Sequence, residues 1–231
     1  KLMVRTANRP LPKKNITTTS AVLFSLLIGL LGFYLLSMIK PHGSFYGYLS
    51  KSSAFGLLSL LIYVLSYTPL KRMSTASIFV GAIPGAIPVM LGWVAATDDF
   101  GLAVGILFAI QFLWQFPHFI SISWLRDEEY KKAGFKMMYG TEKGKYPALV
   151  ATISAFCMTI VSILPFFMNL GNLKLSFFSC SLIFILGCWF TYNSFKLFSN
   201  VDDYSAKKLM FSSLIYLPLS QILFVIDRWF F

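Results

Sequence analysis

Three consecutive acids, Asp127, Glu128 and Glu129, follow a long uncharged stretch in the segment WQFPHFISISWLRDEEYKKAG, residues 114–134. The chain holds nine Asp and Glu in all, so a third of them sit together here. Oxygen donors at that density form a candidate Mg2+ site, because magnesium commonly bridges one or two carboxylates to substrate phosphates. Groups that could carry the countercharge of a diphosphate lie elsewhere: Arg5 and Arg9 in RTANRP, and Lys71 and Arg72 at the end of YTPLKR (67–72). Guanidinium forks grip phosphate oxygens in pairs, while ammonium acts as a point charge. A plainer reading competes for each group. The acids suit a solvated loop balanced by Lys131 and Lys132, and the cations suit anchors at a membrane surface.

His118 belongs to the uncharged run 100–125 and lies seven residues before its end. At about 1.5 Å per helical residue this is roughly 10 Å below the interface. Gln115 and Gln111 stand three and seven residues before it. The spacing puts the three on one helix face, which, continued, reaches Glu129. Polar groups at such depth face a bundle interior or a cavity and are functional candidates. The alternative is a histidine hydrogen-bonded for helix packing. Asp202 and Asp203 read as solvated loop, and Asp98 and Asp99 fall on the other side of the membrane.

The elements that must position these residues follow from composition. The chain is 57% hydrophobic and 13% charged, against about 25% charged in a soluble domain. Uncharged runs occupy 15–39, 52–70, 73–97, 100–125, 146–173, 175–195 and 209–226. Each approaches or exceeds the roughly 18–20 residues that span a hydrocarbon core as a helix, and all are too long for barrel strands. The expected fold is therefore all-α, a polytopic bundle of seven transmembrane helices. Dealing the 20 Lys and Arg to alternating sides gives 16 against 4. By the positive-inside rule the N-terminus of the chain is cytoplasmic in a multi-pass inner (plasma) membrane protein, or faces the matrix of a mitochondrial inner membrane in a eukaryote. The net charge of +11 is thus topological and does not point to nucleic acid.

Cys157, Cys180 and Cys188 lie inside apolar runs without CxxC spacing, and read as small packing residues. The first 15 residues are polar and basic rather than an apolar signal segment. In GAIPGAIP, residues 81–88, Gly81 and Gly85 share a face, as do Pro84 and Pro88. The motif fits close helix packing and also a kinked helix lining a cavity.

Taken in order, RTANRPLP, YTPLKR, GAIPGAIPVMLGW, WQFPHF, EEYKKAGFKMM and KLMFSSLIYLPL resemble the haem O synthase branch of the UbiA-type intramembrane prenyltransferases. The resemblance implies transfer of a farnesyl group from farnesyl diphosphate to a vinyl carbon of haem B, with addition of water and with Mg2+ as cofactor. It assigns the diphosphate to Arg5, Arg9, Lys71 and Arg72, and the metal to Asp127, Glu128 and Glu129. Glu129-Tyr130 stands where the family has Asp-Tyr. His118 matches a PHF motif, as haem-iron ligand or hydrogen-bond partner, with Gln115, Gln111 and Trp114 beside it. Lys71, Arg72 and Tyr67 become the catalytic group, and Tyr67, Trp93 and Trp114 offer ring faces to a carbocation. Family members have nine helices. On that resemblance residues 1–231 are expected to be one transmembrane prenyltransferase domain without its first two helices, inactive on its own. Expected partners are farnesyl diphosphate, haem B, the bilayer and other haem-biosynthesis or oxidase-assembly proteins. A quinone-type aromatic prenyltransferase and a non-enzymatic transporter or assembly scaffold remain alternatives.

Overall fold

The computed structural model describes residues 3–39, 44–45, 49–137 and 142–230. Among the described residues seven helices are long and apolar enough to cross a membrane: α1 (Thr18–Ser37), α2 (Lys51–Met73), α3 (Ser77–Thr97), α4 (Leu102–Leu125), α5 (Lys145–Phe167), α6 (Phe177–Asn200) and α7 (Asp203–Phe230). The expected all-α bundle is found. A single helical turn, Val4–Ala7, a two-residue antiparallel ladder (Ser44–Phe45 with Leu49–Ser50) and a short surface helix, Asp127–Lys132, complete the described elements.

Helix α4 is the hub, packing on α3, α5 and α7, while α1 touches α2 at the edge. Its inward residues Ile106, Ile110, Phe116, Ile120 and Trp124 form the core with α5 and α7. Ala148, Ala151 and Ala155 of α5 are fully buried, and small residues at that spacing let membrane helices approach closely. Leu23, Phe24, Leu27 and Leu30 of α1 point outward, more than half exposed, as a lipid-facing surface does. The three cysteines are free, Cys180 buried and Cys188 exposed.

Contacts between helix ends respect the two faces inferred from charge. On one, here called the basic face, Lys143 pairs with Asp203 at 2.8 Å, and buried Trp124 donates Nε1–H to the same carboxylate at 2.9 Å. On the far face Lys51 pairs with Asp98 at 3.1 Å. There buried Asp227 accepts hydrogen bonds from Ser176 N, Ser176 Oγ and Ser179 Oγ at 2.6, 2.9 and 2.7 Å. Asp202 and Asp203 are more than solvated loop: Asp202 accepts the Ser205 amide at 2.7 Å, and Asp203 ties α7 to α4 and to Lys143.

Both readings of GAIPGAIP are partly met. Helix α3 continues through Pro84 and Pro88. Pro88 has no N–H for the Pro84 carbonyl, which instead accepts from Ser59 Oγ of α2 at 3.2 Å. The missing backbone bond becomes an interhelical one.

Candidate active site

Helix α2 reaches the basic face through an irregular turn. Residues Ile62–Tyr67 form a π-helical stretch just before Pro69, whose absent N–H interrupts the α-helical ladder. Such bulges re-aim side chains and are frequent at functional sites. Beyond it the Lys71 ammonium lies 4.5 Å from the Tyr67 ring centre, 6.0 Å from Tyr63 and 5.9 Å from Phe135. The Arg72 guanidinium lies 5.7 Å from Phe135.

Phe135 arrives there by a helix-stop device. The Phe135 amide donates to the Tyr130 carbonyl at 2.9 Å and the Gly134 amide to the Lys131 carbonyl at 3.0 Å, with Gly134 at φ +71°. This is a Schellman ending with glycine in the left-handed position that side chains disfavour. The Lys136 amide then donates to the Lys71 carbonyl at 2.7 Å, pinning the connection across the end of α2.

Below Lys71 opens a cleft of about 500 Å³ between α2, α3 and α4, whose walls include Ser59, Tyr63, Tyr67, Gly81, Gly85 and Gln115. The two glycines set its shape. A Cβ at Gly81 would lie 2.6 Å from the Tyr67 ring, and one at Gly85 would run into Gln115 Oε1. Gln115 is buried and donates to the Ala82 carbonyl at 2.9 Å.

Gln111, Trp114 and His118 take a different direction, toward α7. Gln111 Oε1 accepts from Gln221 at 3.5 Å, Trp114 Nε1–H donates to the Ser213 carbonyl at 2.8 Å, and His118 Nδ1 lies 2.8 Å from Ser213 Oγ. The expected single polar face is therefore split. Positions 111 and 118 differ by about 20° around a helix, whereas 115 is about 60° from 118. Between α3 and α7 that rotation changes the neighbour. Phe119 stands at the boundary, lining the cleft while its ring lies 5.7 Å from His118. The face also does not run on to Glu129, because α4 ends at Leu125 and Arg126 leaves helical geometry (φ −117°, ψ 17°).

The three acids diverge too, as successive helical residues must. Asp127 pairs with Lys131 at 2.8 Å, and that hydrogen bond raises the Lys131 pKa. Glu128 is exposed, and Glu129 Oε1 pairs with Arg126 at 3.0 Å. Among the described residues no three His, Cys, Asp or Glu side chains converge as a metal site. Asp127 lines a pocket of about 160 Å³ with Tyr130, Phe135 and Lys136. Arg9 is exposed, and the Arg5 side chain lies outside the described residues. Trp93 is at the far end of α3, in a cavity with Arg228, and Trp114 packs on His118, so neither lines the cleft below Lys71.

A family model described as "UbiA prenyltransferase family" matches residues 1–215. The chain belongs to the UbiA prenyltransferase family. It is 42% identical to the protoheme IX farnesyltransferase of Flavobacterium psychrophilum over 228 residues, covering 99% of this chain and 73% of that protein. It is 41% identical to the one of Christiangramia forsetii, with the same coverage. With that of Solibacter usitatus it shares 34% identity, over 98% of this chain and 74% of the relative. No solved structure matches the chain.

Mg2+ requires an oxygen donor, above all a carboxylate, that is not already committed to another partner. Glu129 Oε2 is buried and has no hydrogen-bond partner, an anionic oxygen without a donor. Asp127 is partly shielded nearby in sequence. Since magnesium often takes only one or two protein carboxylates and completes its shell with phosphates and water, a single one of these carboxylates fits it without a cluster of three. Sequence reasoning missed Phe135, Lys136 and Ser213. Gly134 after a Lys pair is a readable helix stop, but nothing local tells where the next residue docks.

Proposed function

We propose that the chain acts as a protohaem IX farnesyltransferase, joining C1 of farnesyl diphosphate to a vinyl carbon of haem B. The C1–oxygen bond of the diphosphate breaks, a carbon–carbon bond forms, water adds its hydroxyl to the neighbouring vinyl carbon and gives up its proton to the diphosphate or to solvent, and diphosphate leaves. One arrangement carries the reaction class: a cationic pair, Lys71 and Arg72, at the mouth of a membrane-embedded cleft walled by Tyr63 and Tyr67. The nature of the donor and acceptor is supported by relatives of that name at 34–42% identity.

Allylic diphosphates ionise when the leaving group is stabilised, so fixed cations act as electrostatic catalysts. Lys71 and Arg72 attract the diphosphate at the basic face, while the farnesyl tail lies along the cleft toward Gln115. Tyr67 holds Lys71 in place, and the Tyr63 and Tyr67 rings keep the reacting carbon away from water and stabilise positive charge. Bound Mg2+, held by one carboxylate, that of Glu129 or of Asp127, would neutralise charge on the departing diphosphate. The haem lies on the other flank of α4, with His118 as iron ligand or hydrogen-bond partner and Trp114 and Gln111 beside it. The basic face is cytoplasmic, in the plasma membrane.

The test supplies farnesyl diphosphate with haem B, and separately with a hydroxybenzoate acceptor, to membranes carrying the protein expressed from its own gene. Haem O formation, detected by chromatography and mass, is expected. Prenylated hydroxybenzoate without haem O would shift the reading to a quinone-type enzyme. No product with either acceptor would favour transport or scaffolding.

A further inference from the structure

His118 is held through one nitrogen, and the hydrogen bonds fix which nitrogen carries its proton. Ser213 Oγ lies 2.6 Å from the Met210 carbonyl, an acceptor only, so the hydroxyl hydrogen is committed there. The same oxygen lies 2.8 Å from His118 Nδ1. With its hydrogen spent on Met210, Ser213 Oγ can only accept, and Nδ1 must be the protonated nitrogen. The imidazole then presents a bare lone pair at Nε2.

Independent contacts hold the ring at this angle. His118 stacks on Trp114 with centroids 4.5 Å apart and planes 16° apart. Trp114 in turn donates its indole N–H to the Ser213 carbonyl at 2.8 Å. Ser213 thus holds both rings, one by its hydroxyl and one by its backbone, and is itself fully buried. Among the described residues Nε2 has no hydrogen bond, and it is not among the sealed polar atoms that lack a partner. It is open.

We infer that Ser213 is a positioning residue that locks His118 as the Nδ1–H tautomer and presents Nε2 as a ligand for a soft or borderline metal centre. In the proposed reaction, on which this second half rests, that centre is the haem iron. Metal-binding histidines commonly donate their other ring N–H to a fixed acceptor, and that partner sets tautomer and basicity. Here the acceptor is a serine hydroxyl polarised by a helix carbonyl. A histidine kept only for packing would have no need of an open nitrogen.

The sequence makes the test clean, because it contains two histidines, His42 and His118. In the His42→Gln protein, nitrogen-15 NMR of labelled histidine reads His118 alone, without haem. A protonated Nδ1 and bare Nε2 are expected. Ser213→Ala should release the lock and bring in the Nε2–H form, and Ser213→Thr, which keeps the hydroxyl, should restore the original signal. An Nε2–H tautomer in the unsubstituted protein, or a Ser213→Ala spectrum identical to it, would overturn the positioning role. Haem B titration followed by absorbance is the second arm. Ser213→Ala should weaken binding about tenfold or more and change the ligand-sensitive bands, with Ser213→Thr close to the parent. The expected tautomer combined with haem affinity unaltered by His118→Ala would overturn the iron-ligand reading and leave the positioning role standing.

Discussion

The Lys71 ammonium sits 4.5 Å above the Tyr67 ring, which is flanked in turn by the Tyr63 ring, 5.2 Å away, and by Gly81, where a Cβ would come within 2.6 Å. The position of the cation is therefore set in part from α3, a helix with no charge of its own near this end. Cation–π pairs contribute about 0.5–1 kcal/mol at exposed sites and about 2 kcal/mol when desolvated, and Lys71 is half-buried, so the ring favours this position of the ammonium over open solvent.

Removing either cation should act on the diphosphate. Lys71→Ala and Arg72→Ala are each expected to cost about 2–4 kcal/mol of transition-state stabilisation, by analogy with fixed oxyanion donors. Steady-state kcat/KM for farnesyl diphosphate at saturating haem B reads this directly. Unchanged values for both would place the diphosphate elsewhere.

Gly81→Ala and Gly85→Ala test the cleft wall. Each new methyl overpacks a tight helix contact, against Tyr67 in one case and Gln115 in the other, at about 1–3 kcal/mol. Thermal unfolding in detergent should fall for both. Gly81→Ala should in addition raise the KM for farnesyl diphosphate by displacing the seat of Lys71. Equal kinetic effects from the two would show that the cleft responds as a whole.

The Schellman ending should be sensitive to its glycine. Gly134→Ala forces a side chain into a left-handed conformation, at a cost of about 1–2 kcal/mol. Hydrogen exchange at residues 133–137 should speed up as the Lys136-to-Lys71 backbone bond opens. Protection equal to the parent protein would mean that the docking survives without the turn.

Two faces of the bundle can be told apart by labelling. Lys13→Cys and Lys132→Cys, both at exposed sites, should react from the cytoplasmic side in intact cells only after permeabilisation. Asp99→Cys, exposed on the far face, should react without it. Labelling of all three from one side would break the seven-helix topology.

The helices were legible because lipid demands long uncharged runs, and little else competes with that signal. The pair Lys71–Arg72 was legible for a related reason: charges at a helix end beside a proline are few in such a chain. The division of Gln115 from His118 was not. A sequence gives their angular separation of about 60° but not how closely α3 and α7 flank α4, and that closeness assigns each residue its neighbour. The three acids misled in the same way, since adjacency in sequence spreads side chains around a helix. Ser213 gave no signal at all, because serines that hydrogen-bond their own helix are common here, as at Ser162, Ser212 and Ser220.

The split of α4 into two flanks has a steric meaning. A molecule seated below Lys71 and one seated beside His118 would have α4 between them, with Phe119 at its edge. Bond formation nevertheless brings the two reacting carbons within about 3–3.5 Å. A porphyrin held beside His118 would therefore have to turn its vinyl edge past Phe119 into the cleft while its iron stays on the α7 flank. The bulk of the side chain at position 119 then sets how far the two compartments communicate.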